Sequence, residues 1–241
     1  FGGDFLYRWG NPQAYDQGTA SDQKLYGQHT VHWIPNGMPD AGKLMVFNNG
    51  FNRGYSSVEF IVPPADAMGN YSYTPGTSFG PTNAIIRYQE ATPTDFFAPF
   101  LSSAYQLSNG NILVDKGPVG QLVEVNTSNQ VVWEYISPVL MAGTTLSQGD
   151  TPGGINSRFF RASRYEANYI GFNGRDLTPG SEIEQNQATP PTNNNNLPDT
   201  VSPNIPPSNI SMMSGGDSVM SQPTCETRTQ TTINPGQTFG V

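Results

Sequence analysis

Both histidines of this 241-residue chain lie three positions apart, in Gln28-His29-Thr30-Val31-His32-Trp33-Ile34-Pro35-Asn36-Gly37. Phe47-Asn48-Asn49-Gly50 and Arg53 follow shortly after. A neutral imidazole is a competent nucleophile near pH 7. Asn48, Asn49, Arg53 and the more distant Lys116 could donate hydrogen bonds to an oxyanion. The chemistry on offer is therefore nucleophilic attack by histidine on an anionic group. Each residue also has a plain reading: a histidine that caps a turn or packs in a sheet, an Asn-Asn-Gly that is a tight turn, an arginine that is a surface charge. Two histidines three apart suit zinc on a helix, but the context here is strand-like and no cysteine or acidic ligand follows at a suitable spacing, so no metal is expected. No Gly-x-Ser-x-Gly elbow and no phosphate-binding glycine loop is present, and no cofactor is expected.

The elements that must position these residues are short strands. Phe5–Trp9, Val31–Ile34, Leu44–Phe47, Ser57–Val62, Ile85–Tyr88, Ala104–Leu107, Ile112–Val114, Leu122–Val125 and Val131–Tyr135 are apolar segments separated by turn residues. Asn36-Gly37 and Asn109-Gly110 are hairpin dipeptides. No long amphipathic helix is evident. Strict alternation would put His29 with Val31 and Trp33 on one side and His32 with Ile34 on the other. On that reading His29, at the mouth of the strand, is the reactive residue, and His32 supports it.

Residues 31–37 can be laid over residues 104–110, a shift of 73, and each copy runs on into a strand. His29 then matches Ser102, His32 matches Tyr105, and Asn49 falls near Gly117. The second copy continues through Gly120-Gln121-Leu122-Val123-Glu124-Val125 to Val131-Val132-Trp133-Glu134-Tyr135, as four-stranded propeller blades do. The first copy carries an insertion over roughly residues 51–84, whose Tyr55, Tyr71, Tyr73 and Phe79 either line an aromatic pocket or staple the loop down. The expected fold is all-β, a β-propeller of which about two to three blades occur over residues 1–186. Residues 187–241 are rich in Pro, Asn and Ser and read as a linker or disordered tail.

Composition agrees. The chain has 26 glycines, 21 prolines and 11% aromatic residues, with only 12% charged. A net charge of −8 leaves no basic stripe for a nucleic acid. No apolar run is long enough to span a membrane. The single cysteine, Cys225, has no internal partner for a disulfide.

Gln28-His29-Thr30, then Phe47-Asn48-Asn49-Gly50 with Arg53, resembles the Gln-His-(Asp/Thr)…Phe-Asp-Asn-Gly…Arg pattern of bacterial aryl-sulfate sulfotransferases that do not use PAPS. Tyr7-Arg8-Trp9-Gly10, Asn109-Gly110-Asn111, Val132-Trp133-Glu134-Tyr135, Phe160-Arg161-Ala162 and Gly174-Arg175-Asp176-Leu177-Thr178-Pro179-Gly180 extend the likeness across residues 3–185. The resemblance implies a six-bladed propeller and transfer of a sulfuryl group from an aryl sulfate to a phenol. It implies His29 as covalent carrier; from the residues themselves, Asn49, Arg53 and His32 are expected to bind the substrate. It also implies export to the periplasm or beyond, and places further sulfate-clamping groups in blades that would precede Phe1. Asn48 stands where the family pattern has Asp. The rival reading is a secreted propeller that binds glycan or protein without chemistry; a third is a sulfatase-like hydrolase with water as acceptor.

Overall fold

The computed structural model describes residues 5–150 and 155–184, together with the backbone of Thr238–Gly240. Two four-stranded antiparallel meanders dominate it. The first runs β1 (His29–Trp33), β2 (Leu44–Asn48), β3 (Ser57–Ile61) and β4 (Ile85–Tyr88). The second runs β5 (Ser103–Gln106), β6 (Ile112–Lys116), β7 (Gln121–Val125) and β8 (Val131–Ile136). A short β9 (Ser163–Tyr165) pairs antiparallel with β10 (Thr238–Gly240). The helical elements among the described residues are single 3-10 turns, so the fold is all-β. The remainder of the Pro/Asn/Ser-rich segment from 187, with Cys225, lies outside the described residues.

Eight of the nine expected strands form. Phe5–Trp9 does not. It lies instead over the first sheet, with Trp9 packed against Leu25, Val46 and Ile61 and its indole N–H donating to the Pro81 carbonyl. No strand edge is offered to it there, so its backbone has no ladder to join. Asn109-Gly110 does close a tight hairpin, with Leu107 pairing Asn111 and Gly110 at φ +84. Asn36-Gly37 forms a turn too, from the Pro35 carbonyl to the Met38 N–H, but inside a longer connection that begins after Ile34 pairs Lys43.

Each sheet is covered on both faces. Met45, Phe47, Val58 and Phe60 of the first sheet meet Ala104, Ile112, Val114, Val123 and Val125 of the second in one core. Leu25, Val46 and Ile61 make a smaller cluster on the outer face of the first sheet. Leu113 and Leu122 make another on the outer face of the second, against Phe159 and Ala162. The internal repeat is thus two stacked sheets. The extra length in the first copy falls between β3 and β4, over residues 62–84. The aromatics there act as a staple: Tyr71 stacks on Tyr7 at 5.1 Å between centroids, and Phe79 meets Tyr7, Tyr15 and Tyr73. Tyr55 is not among them.

The units are also tied edge to edge. The Asp40 N–H and carboxylate bond the Gln106 amide, Arg87 reaches the carbonyls of Gly110 and Asn126, and Glu124 pairs with Arg164 of β9. Ser163-Arg164-Tyr165 follows Phe160-Arg161-Ala162 as Ser103-Ala104-Tyr105 follows Phe100-Leu101-Ser102. β9 therefore occupies the first-strand place of a third copy.

One core position departs from the apolar rule. Asp115 sits on the β6 face that carries Leu113, the place that Phe47 takes beside Met45 in the first unit, where it meets Phe96 edge-on. Asp115 is fully buried, and neither carboxyl oxygen has a hydrogen-bond partner. Burial pushes it up to about 7, with the Ser103 hydroxyl across the strand pair pulling weakly the other way. The folded protein then holds a proton that the unfolded carboxyl has already lost above its usual range. This group's contribution is fully present below about pH 4 and fades as pH rises toward 7. Relative to Asp115→Asn, the wild type should lose stability across that window, by up to roughly 4 kcal/mol. Urea midpoints measured from pH 4 to 8 for both proteins check this, and a difference that does not change with pH would refute it.

Candidate functional site

The register of β1 decides how the two histidines are presented. His29 pairs with Phe47 and His32 with Met45, so two residues of β1 oppose the single Val46 between them. This is a β-bulge, and Thr30 sits in it at φ +51. The expected alternation is overturned at this point. Phe47 and Met45 share a face, so His29 and His32 share it too, with Ile34, while Val31 and Trp33 are exposed.

His29 is half-buried at the strand mouth. Its Nδ1 lies 2.7 Å from Asn49 Oδ1 and 3.0 Å from the Gly27 carbonyl. The orientation of the Asn49 amide is not free, because its Nδ2 donates to the carbonyls of Ala98 at 2.7 Å and Leu101 at 2.9 Å. Oδ1 must therefore face the ring. Both neighbours of Nδ1 are acceptors only, so Nδ1 carries the proton and Nε2 keeps the lone pair. Asn49 is wholly buried, and its own carbonyl accepts from the Ser56 hydroxyl, which also accepts from the Ala98 N–H.

The carbonyls that hold Asn49 come from a strained segment. Leu101 and Ser102 have φ of +57 and +83, a conformation costing about 1–2 kcal/mol for each residue with a Cβ. Three bonds stabilise it: Asn49 to the Leu101 carbonyl, the Thr30 hydroxyl to the Ser102 carbonyl at 3.2 Å, and the Gly117 N–H to Ser102 Oγ at 3.1 Å. The second unit thereby buttresses the histidine of the first. The offset of 73 that pairs His32 with Tyr105 in sequence also brings them together in space, with ring centroids 5.0 Å apart. His32 Nδ1 lies 3.2 Å from the Thr30 carbonyl, and burial holds the imidazole below its usual pKa, which keeps it neutral.

Arg53 is not brought to His29. Its guanidinium bonds Glu59 at 3.3 Å and the Ser57 hydroxyl at 2.8 Å and lies over the Tyr55 ring. Ser57 and Glu59 stand opposite Asn48 and Val46, on the other face of the sheet from Phe47. Asn48 belongs to that network. Its Oδ1 accepts from the Tyr26 N–H, while Nδ2 donates to the Lys24 carbonyl and to Glu59. This accounts for Asn at that position: a carboxylate there would confront the buried Glu59. Lys116, the remaining candidate donor, pairs with Glu90 and lies over Phe96.

Reasoning from sequence counted Phe160 and Arg161 in the family likeness but gave neither a place in the site, where the fold brings Phe160 beside His29. Phe160 meets the imidazole edge-on at 6.5 Å, and the Arg161 guanidinium lies 5.3 Å from the Phe160 ring centre. The signal available was their place at the mouth of a third copy of the repeat. Among the described residues no cluster of His, Cys, Asp and Glu could hold a metal ion, and no helix is long and apolar enough to cross a membrane.

Asn49→Leu should therefore release the His29 ring and leave the Ala98 and Leu101 carbonyls unpaired. The expected cost is about 2–3 kcal/mol in a denaturant titration. Nitrogen-15 imidazole spectra should show the Nδ1–H tautomer of neutral His29 in the wild type and a mixture in the variant.

Comparison with known proteins bears on this arrangement. The family model described as Arylsulfotransferase (ASST) matches residues 15–146, more than half of the chain and all of the segment from Gln28 to Arg53. No curated protein and no solved structure matches. The strand-mouth histidine, with its tautomer set by a buried asparagine, is therefore that of a protein belonging to the arylsulfotransferase family.

Proposed function

We propose that this chain transfers a sulfuryl group from an aryl sulfate to a phenol through a covalent intermediate on His29. Family membership supports aryl sulfate transfer in general. The observation that carries the finer reading is the His29–Asn49 bond, which leaves Nε2 as the nucleophilic atom. Nε2 attacks sulfur, the N–S bond forms, and the S–O bond to the aryl group breaks, releasing phenoxide. A phenoxide is a workable leaving group, since its conjugate acid has a pKa of about 10. The sulfated ring becomes cationic, and its Nδ1–H points at two acceptors, Asn49 Oδ1 and the Gly27 carbonyl. That pairing stabilises the developing charge before any reorganisation. An acceptor phenol then attacks sulfur, the N–S bond breaks, and the phenol proton passes to solvent. The sulfuryl group comes from the donor ester itself, so no nucleotide donor enters the scheme.

His32 is the neutral imidazole on the same face and acts on the substrate side. Asn49 and Arg53 act by position: Asn49 aims His29, and Arg53 braces the β2–β3 turn through Glu59 and Ser57. We propose further that the two meanders are consecutive blades of a propeller, a reading supported by sheets covered on both faces and by Thr30 touching Ser102 between first strands. A periplasmic or secreted location accompanies the same reading.

Incubation with 4-nitrophenyl sulfate and no acceptor should leave a sulfuryl adduct on the His29 peptide, detected by mass spectrometry at a pH where sulfohistidine survives. Addition of phenol should discharge it. His29→Ala should show no adduct and a transfer rate lower by at least about 10³-fold. A wild-type protein that turns over without any adduct on His29 would sink the covalent mechanism.

A further inference from the structure

The backbone brings three strand mouths to one rim. In register with the repeat they are Gln28-His29, Leu101-Ser102 and Arg161-Ala162. Gly117 marks where the second and third converge: a Cβ there would lie 2.7 Å from both the Phe159 carbonyl oxygen and the Ser102 nitrogen. The Phe159 N–H donates to the Gly117 carbonyl, and the Ala162 N–H donates to Ser103 Oγ. The second mouth is spent on structure, since its carbonyls hold Asn49 and Thr30. The third is not. Phe160 is 56% exposed although it is a phenyl ring, and it meets the His29 ring edge-on and lies under the Arg161 guanidinium. Arg161 is exposed and makes no ion pair among the described residues. In a chain of net charge −8, a guanidinium without an ion pair, one phenyl ring removed from the His29 imidazole, is a place for an anion.

We infer that Phe160 and Arg161 form the recognition patch for the donor, the phenyl ring stacking on the aryl group and the guanidinium taking the sulfate ester beside His29. The inference rests on the proposed transfer reaction for its substrate class. Both residues lie outside the span matched by the family model. Arg161 presents a planar pair of donors suited to two sulfate oxygens, and its guanidinium lies over the Phe160 ring. An alkyl sulfate would keep the first contact and lose the second, so the patch selects aryl over alkyl esters.

The test uses wild type, Phe160→Leu, Arg161→Gln and Arg161→Lys, with two readouts: calorimetric binding of 4-nitrophenyl sulfate, and KM and kcat for its turnover. Both side chains are exposed, so melting temperatures should stay close to wild type and exclude misfolding. Arg161→Gln should weaken binding and raise KM about 10–100-fold with little change in kcat, and Arg161→Lys should recover part of it. Phe160→Leu should weaken binding about 5-fold and narrow the preference for 4-nitrophenyl sulfate over an alkyl sulfate. Binding that is absent in the wild type, or unchanged in both Phe160→Leu and Arg161→Gln, overturns the inference. Weakened binding in the variants of a protein that never labels His29 would uphold the patch and reject the histidine mechanism.

Discussion

The site depends on one buried amide. Asn49 has nowhere to find water, so each of its polar atoms must be matched within the protein. Two carbonyls from the segment before β5 take its donors, and the only hydrogen-bonding group left for Oδ1 is the His29 ring. The tautomer of the histidine is thus decided by satisfaction of hydrogen bonds several residues away in space and about fifty in sequence. The strained backbone at Leu101 and Ser102 and the bulge at Thr30 make sense in the same terms. Both are unfavourable locally, and both are held by bonds that also orient His29.

The two faces of the first sheet divide the work. The face toward the second unit carries His29 and His32 above an apolar core. The opposite face carries a polar cluster in which Glu59 accepts from Asn48, Ser57 and Arg53. That cluster never meets the imidazole, yet Asn48 uses it to anchor Lys24 and Tyr26, at the start of the chain that leads into His29. A buried carboxylate with three donors is expensive to disturb, so the approach of the strand to the site is held firmly.

Repetition makes the specialisation visible. Equivalent places hold His29, Ser102 and Ala162 at the strand mouths, Phe47 and Asp115 in the row of the second strand that faces the following unit, and Asn49 and Gly117 just beyond it. The backbone plan is shared while the chemistry differs. Where the first unit has an amide to aim a ring, the second has a glycine that lets the third segment approach. In the proposed reaction the work falls to the mouths, because the sheet interiors are committed to packing.

How much of this was legible in the sequence varies with the range of the interactions involved. Short apolar runs and turn dipeptides are local, and they placed eight strands closely. Phe5–Trp9 looked like a strand because its composition says nothing about whether a sheet edge is available. The family was readable from motif order, and the matched span includes His29. The presentation of the histidines was not readable, because a bulge arises from pairing with β2 and not from the residues of β1. Arg53 lay near His29 in the motif but joined Glu59, since a turn can send its side chain to either face. Phe160 came beside His29 from about 130 residues away, by the stacking of repeated units. The sequence by itself determined the all-β class, the repeat and the reactive histidine as a candidate, all of which rest on local pattern. Which atom of that histidine is free, and what stands next to it, only the tertiary structure decided, because both follow from hydrogen bonds and packing between distant segments.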